Sequence, residues 1–590
     1  MTKIMAPRFE VGEKFYDAAF YDLYKKLDYP DPWIEEGRNY SQNDSYSMMH
    51  PTWLHETIPA TPDVSIYELL EKTIEKYPDE IAVIFFDKKT TYKELDTLIG
   101  KYAALLKTLG VKKGDAVAAI LPNSLQHIVA FYGAAKIGAA HTPVNVMYQA
   151  DEIAYQLKDS NVKTLVMLDL LYGKVKDLHD EKTIENVILT NLKDFAAKDA
   201  TVSETIKPLF NIPKQKIPGT IDMLDGIKDL TPLEESYKSS PKQDIVLLLY
   251  TAGTTGSPKG VEVTHFNAVY NSISHTHAFR NWDHEVNFSI MPMFHTAGYY
   301  LHFLPVFYQG GTVIPIPMFD LKDAFRIIEM YRVNVIFAPP TLYIALLSQK
   351  ALLENHDMSS LKFTIACGAP VPYVVQKGWK EITGIKLLSG WGMTETNSGG
   401  IMSIPEIKER SESIGVPVLS EVKIIDDKGN IVPRNQEGEI VYRGLQLARG
   451  YLNKREQTKE SFLPDGWFRT GDRGFVDNED FVHFVDRIKD LIIASGYNLA
   501  PTEVENVIYQ VPGVAEVAVI GIPDTYRGET VKAAVVLTPD AKGKVTQADI
   551  IEYCRKHLAT FKIPKVVEIR DSLPKSAVGK ILRRKLREEL

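Results

Sequence analysis

The chain has 590 residues, too many for one hydrophobic core, so two to four domains or subdomains are expected. Its composition is that of a soluble globular protein, and the formal charge of −8 leaves no basic footprint for nucleic acid as a main partner. Two distant cysteines exclude a disulfide framework, and there is neither a zinc-like Cys/His spacing, a signal-peptide h-region, nor an apolar run of about 18 residues to span a membrane, so a cytoplasmic protein is expected.

Roughly the first 60 residues are aromatic and proline-rich without periodicity, which predicts a surface segment packed on a larger body. Ser65 with Glu68 and Thr91 with Glu94 are spaced as capping boxes that open helices. IAVIFF (81–86), AVAAIL (116–121) and TLVML (164–168) are short apolar runs between such helices, an alternation that favours parallel α/β sheets covered on both faces. The stretch from 170 to 240 is more polar and punctuated, and reads as an insertion or connecting region. Beyond it NFSIMPM, GTVIPIPMF and KFTIACG read as strands and DAFRIIEMYRV as a helix. From about 415 the texture becomes that of β-hairpins, predicting a small, mostly antiparallel subdomain. A boundary is expected at DRIKD (486–490), after which about 100 residues form a compact α+β domain.

The stretch YTAGTTGSPKGVEVTH (250–265) follows the apolar run IVLLLY. It is not a P-loop, because lysine precedes the last glycine and Pro258 intervenes. Read locally it is a glycine-rich turn from a strand into a helix. Its donors nevertheless suit a polyphosphate: backbone N–H groups near Gly253 and Gly256, the hydroxyls of Thr251, Thr254, Thr255 and Ser257, and the Lys259 ammonium.

YTAGTTGSPKG resembles the signature loop of the adenylate-forming (AMP-binding) superfamily. Further blocks follow in the family's order: SGWGMTET (389–396), GEIVYRGLQLARGYLN (438–453), GWFRTGDRG (466–474), VDRIKDLIIASGYNLAPTEVE (485–505) and LPKSAVGKILRRKL (573–586). The resemblance implies an α/β fold: a large N-terminal AMP-binding domain (1–486) of two α/β sheet subdomains plus a small β subdomain, then a mobile α+β C-terminal domain (487–590). It also implies carboxylate activation with ATP, Mg²⁺ and coenzyme A. A carboxylate attacks the α-phosphorus of ATP, pyrophosphate leaves, and a thiol then displaces AMP.

The resemblance assigns roles residue by residue. Glu395 would bind Mg²⁺ and Thr394 donate to the α-phosphate, while the loop holds the outer phosphates. Gly368, Ala369 and Pro370 would line the adenine. Trp391 stands where the family usually has tyrosine and would stack on the base beside Gly392, without the hydroxyl. Asp472 would take the ribose hydroxyls and Arg487 lie nearby. Lys580 would bridge the carboxylate and the α-phosphate; the basic RRKLR run beside it reads as solvated. The small domain would turn at Lys489–Asp490, offering either Lys580 or the Gly496–Tyr497 side, which borders the pantetheine path. His295, in MPMFHTAG (291–298), would gate an acyl pocket that Tyr299 and Tyr300 line.

No carrier-domain signature follows, which predicts a free-standing acid–thiol ligase using CoA. WLHETIP and the stretch from LPNSLQH to QLKDS are similar to fatty-acid–CoA ligases and point to medium- or long-chain acids. A short-chain, hydroxy-acid or aryl-CoA ligase is the alternative. A non-catalytic nucleotide-binding regulator is expected to lose Lys580 or Glu395, and both are present. A luciferase-like oxygenase shares the fold. A homodimer is expected from the resemblance, and membrane-surface contact would be compatible with collecting a greasy acid.

Overall fold

The computed structural model describes residues 61–251, 258–278, 284–369, 371–403, 410, 412–418, 420–463, 466–494, 497–524, 528–576 and 579–589. The amino-terminal segment lies outside them. Both capping boxes form: Ser65 and Glu68 close the start of helix Ile66–Lys76, and Thr91 and Glu94 that of Tyr92–Thr108.

Two large sheets carry the molecule. One has eight strands, in the order Gly450–Tyr451, Gly260–Thr264, Ile245–Tyr250, Ala140–Pro143, Ala116–Ile120, Thr164–Leu168, Asn186–Thr190 and Ile221–Asp222. From Ile245–Tyr250 to the last strand all pairings are parallel, and Ile245–Tyr250, Ala116–Ile120 and Thr164–Leu168 are near-continuously apolar. Two expectations are corrected here. The 170–240 stretch is no mere connector, because it supplies the last two strands of this sheet. The Tyr250–Gly260 loop joins two antiparallel strands, and the helix His265–Ala278 starts only after the second.

The other sheet has nine strands, in the order Val416–Pro417, Ile401–Met402, Leu387–Trp391, Phe363–Cys367, Val335–Ala338, Val286–Ser289, Thr312–Pro315, Ile81–Phe85 and Lys88–Thr91. Ile81–Phe85, early in the chain, pairs in parallel with Thr312–Pro315 rather than joining the first sheet. A four-stranded antiparallel sheet follows, built from Glu421–Ile425, Gly438–Arg443, Phe468–Val476 and Val482–Arg487, as the hairpin texture predicts.

One hydrophobic core runs from Ile66 and Tyr102 through Phe131, Tyr299 and Phe303 to Trp391, Tyr442 and Val482, so the three sheets are packed together. Beyond Arg487, a five-stranded sheet and the helices Pro501–Ile508 and Gln547–His557 enclose a separate core around Val504, Val519, Val535 and Ile550. Cys367 and Cys554 are free and buried, one in each part.

Candidate active site

The sequence motifs sit beyond the carboxyl ends of parallel strands, where open α/β sheets bind their ligands. Thr251 follows Ile245–Tyr250, Gly368 follows Phe363–Cys367, and Gly392 to Glu395 follow Leu387–Trp391. His295 lies beyond Val286–Ser289.

The Thr251 N–H donates to the Lys259 carbonyl at 3.0 Å, closing the base of the loop. Tyr155 donates to the Pro258 carbonyl (2.9 Å) and Tyr250 to Asp159 (2.7 Å), which ties that base to helix Ala150–Asp159. Gly253, Thr254, Thr255, Gly256 and Ser257 lie outside the described residues. Lys259 places its ammonium 4.5 Å from the centre of the Tyr451 ring, and the Tyr451 hydroxyl donates to Glu395 Oε1 at 2.8 Å. Tyr451 thus links the loop cation to the acid. Sequence reasoning missed it; its only signal was its place in the block that ends GYLN.

Glu395 is buried, and burial raises its carboxyl above the ordinary range, while Tyr451, Lys259 and Arg487 oppose that rise. Thr394 is half-buried in the same turn, and its carbonyl accepts the Asn397 N–H at 3.1 Å. Asn397 and Ser398 both hold left-handed backbone, with φ of 53° and 58°. Asn271 donates to the Asn397 carbonyl at 2.5 Å and the Asn397 amide to the Gln446 carbonyl at 2.6 Å, which pins the turn. Gly392 approaches it so closely that a Cβ would lie 2.7 Å from the Ser398 carbonyl carbon.

Asp472 and Arg487 stand opposite each other on adjacent antiparallel strands, with Arg487 Nε 3.6 Å from Asp472 Oδ1. The Trp391 indole N–H donates to Asp472 Oδ2 at 2.8 Å. Trp391 is therefore no bare replacement for a tyrosine: its ring is buried beside Tyr442, and its N–H makes a polar contact of its own. Burial raises the Asp472 carboxyl, and Arg487, Trp391 and Lys580 draw it back. Gly368 is exposed with φ of 83° and Ala369 is half-buried; Pro370 lies outside the described residues.

Lys580 reaches this site from the small domain. The Ser576 N–H donates to the Lys580 carbonyl at 2.7 Å, which forms a turn, and a Cβ on Gly579 would come 3.1 Å from Thr341 Oγ1 on the large domain. Burial, then the charge of Arg487, lowers the Lys580 ammonium to about 8, with Asp472 opposing. His295 feels the same lysine: burial first and Lys580 second lower it to about 4. Its Nδ1 accepts the Ala297 N–H at 3.2 Å, which makes Nε2 the protonated nitrogen. Tyr299 and Tyr300 are wholly buried. Tyr299 shares a 2.9 Å hydrogen bond with His127 and packs on Phe131 and Phe303, so it has no surface open to a substrate in this arrangement.

Lys489 and Asp490 lie in the short turn Ile488–Asp490. Tyr497 begins the strand Tyr497–Leu499, and Gly496 lies outside the described residues. The RRKLR run is not a solvated tail throughout: Arg583 and Arg587 form ion pairs with Asp486, Glu505 and Asp490, whereas Arg584 is exposed.

Among the described residues no group of three or more His, Cys, Asp or Glu side chains could cage a metal. A single buried carboxylate beside a phosphate loop fits Mg²⁺, which takes few protein ligands and completes its shell with phosphate and water oxygens. Among the same residues no helix is long and apolar enough to cross a membrane.

Residues 70–452 match the family model described as AMP-binding enzyme, and residues 503–580 match the AMP-binding enzyme C-terminal domain. A long-chain-fatty-acid–CoA ligase of Bacillus subtilis is 36% identical over 544 residues, which are 90% of this chain and 95% of that protein. The anthranilate CoA ligase AuaEII in complex with anthranoyl-AMP superposes with a TM-score of 0.80 at 26% identity, covering 90% of this chain and 98% of its own. ATP-bound MatB from Rhodopseudomonas palustris superposes at 0.79 with 28% identity, covering 89% and 99%, whereas apo MatB reaches 0.68 at 26% identity, covering 89% and 99%. By these matches, on a site assembled from the family's own blocks, the chain belongs to the AMP-binding enzyme family.

Proposed function

We propose that this protein is an ATP-dependent acyl-CoA synthetase acting on hydrophobic medium- to long-chain carboxylic acids. The observation that carries the reading is the meeting of five separate blocks in direct contact: Arg487 pairs with Asp472, Asp472 accepts from Trp391, and Tyr451 joins Glu395 to Lys259. That is the arrangement needed where two anions must meet.

In the first half-reaction an oxygen of the acid attacks the α-phosphorus of ATP, the bond to the β-phosphate bridging oxygen breaks, and acyl-AMP and pyrophosphate form. Lys259 and the loop hold the departing phosphates, Thr394 contacts the α-phosphate, and Lys580 lies between the carboxylate and that phosphate. Asp472 takes the ribose hydroxyls, with Trp391 and Arg487 fixing its two oxygens. Glu395 would hold Mg²⁺, which when bound would neutralise charge on the phosphate oxygens. In the second half-reaction the CoA sulfur attacks the acyl carbonyl carbon and AMP leaves. The small domain (487–590) turns at Lys489–Asp490 between the two steps, which withdraws Lys580 and brings the Gly496–Tyr497 side to the thiol. His295 stands at the entrance to the acyl pocket.

The preference for fatty acids rests on the likeness to the Bacillus subtilis ligase. An aryl substrate is the second reading, favoured by the superposition on the anthranilate ligase. Our reading places the enzyme in the cytoplasm as a homodimer that touches membranes only at their surface.

AMP release from ATP and Mg²⁺, with and without CoA, across unbranched acids from acetate to palmitate and benzoate tests the reading. A CoA-dependent optimum at about six carbons or more is expected. An optimum at acetate to butyrate, or with benzoate, overturns the substrate class and keeps the mechanism. No AMP with any acid overturns the enzyme reading.

A further inference from the structure

The helix Arg583–Glu588 lies against the junction between the large and small domains. Asp486, on strand Val482–Arg487 of the four-stranded sheet, is only 1% exposed. Its Oδ1 accepts from Arg583 Nη1 at 3.0 Å and from the adjacent Arg487 N–H at 2.8 Å. Its Oδ2 accepts from the Thr502 N–H at 3.0 Å and from Thr502 Oγ1 at 2.8 Å. Apart from the Arg487 N–H, which stays on Asp486's own strand, these donors lie beyond the 488–490 turn, on the small-domain side.

The other bonds of the same cluster do not cross that turn. Arg583 Nε and Nη2 bind Glu505, at 3.2 and 2.9 Å to Oε1 and 2.8 Å to Oε2, within the small domain. Arg587 binds the Asp490 carboxylate at 2.8 Å and its carbonyl at 3.3 Å, at the turn itself. Burial disfavours the Arg583 charge, but Glu505 and Asp486 outweigh it and hold the guanidinium firmly protonated.

If the small domain rotates at Lys489–Asp490, the Arg583–Glu505 pair travels with it and Asp486 stays behind. The three bonds from Arg583 and Thr502 to Asp486 then belong to one orientation, the one in which Lys580, on the same terminal segment as Arg583, lies within electrostatic reach of Asp472 and His295. A buried carboxylate that loses every charged donor is strongly disfavoured, so these bonds bias the equilibrium toward that orientation.

We propose that Asp486, gripped by Arg583 and Thr502, is an orientation latch: a positioning group that holds Lys580 at the adenylation site and must open before thiol transfer. The proposal rests on the two-step ligase reading above. It makes Asp486 a control point between half-reactions, although it touches neither substrate.

The test measures the half-reactions separately in the full-length protein. Asp486→Asn keeps the side-chain shape and removes the charge. Pyrophosphate release from ATP and acid is expected to fall about tenfold to a hundredfold, while transfer of added acyl-adenylate to CoA stays within about threefold of wild type or rises. Thr502→Val removes one donor to the same carboxylate and is expected to shift the partition the same way by a smaller factor, which covers misfolding of the first variant. Equal losses in both half-reactions, or no change in either, overturn the latch. If wild-type protein releases no pyrophosphate with any acid, the ligase reading fails, and the latch fails with it.

Discussion

In the role proposed for it, Lys580 would couple its own protonation to the reaction. Burial and the positive charge of Arg487 set its folded-state pKa near 8, below the ordinary lysine value, so the ammonium is present below that pH and is lost as pH rises through it. Binding of a carboxylate and a nucleotide polyphosphate brings negative charge and pushes the pKa back up. The expected profile for pyrophosphate release is therefore a descending limb in kcat/KM, which reports the free enzyme, centred near pH 8, and a limb displaced to higher pH in kcat. Lys580→Ala should lower adenylation by on the order of 10²–10³, as loss of one preorganised charge contact does. Thioester formation from preformed acyl-adenylate should be spared. Equal loss in both half-reactions, or a kcat/KM profile flat through about pH 9, would rule out this role for the lysine.

At the scale of elements, the turn after Leu387–Trp391 shows how local rules and long-range contacts divide the work. Gly392 is dictated by the Ser398 backbone, and that backbone is dictated by Asn271, from a helix more than a hundred residues earlier, and by the Gln446 carbonyl. With both anchors in place the turn cannot retreat from an added methyl. Gly392→Ala should cost about 1–3 kcal/mol of stability, the usual range for overpacking, and lower adenylation more than binding of AMP because Glu395 shifts with the turn. Thermal unfolding together with pyrophosphate release checks it; wild-type values in both would show the close approach to be without consequence.

The same elements show what the sequence makes legible. Capping boxes are local, so Ser65–Glu68 and Thr91–Glu94 could be read directly from spacing. The candidate site residues lay in blocks with recognisable order, so Glu395, Asp472 and Lys580 could be singled out as candidates. Pairing between distant strands leaves no such trace: nothing in IAVIFF says that it will lie beside Thr312–Pro315. Tyr451 and Arg583 were missed for the related reason that an aromatic or a basic residue acquires its role only from the carboxylate the fold brings to it.

Over the whole molecule, the placement of Ile81–Phe85 argues for two folding units rather than one per sheet. That strand and Lys88–Thr91 lie in the nine-stranded sheet while the strands from Ala116 to Tyr250 build most of the eight-stranded one, and one core joins both to the antiparallel sheet. Breaking either large sheet exposes the core of the other, so the two should unfold together. The residues after Arg487 are different. Among the described residues their sheet pairs only with itself, and Val504, Val519, Val535 and Ile550 are packed within their own segment. Arg583 keeps its bidentate partner Glu505 when Asp486 is absent. A fragment spanning 487–590, near the usual size of an autonomous domain, should therefore fold alone and melt cooperatively. Circular dichroism with thermal melting of that fragment tests the division. A non-cooperative melt would mean that the small domain is completed by the large one, so that a turn at Lys489–Asp490 would cost folding energy as well as the bonds to Asp486.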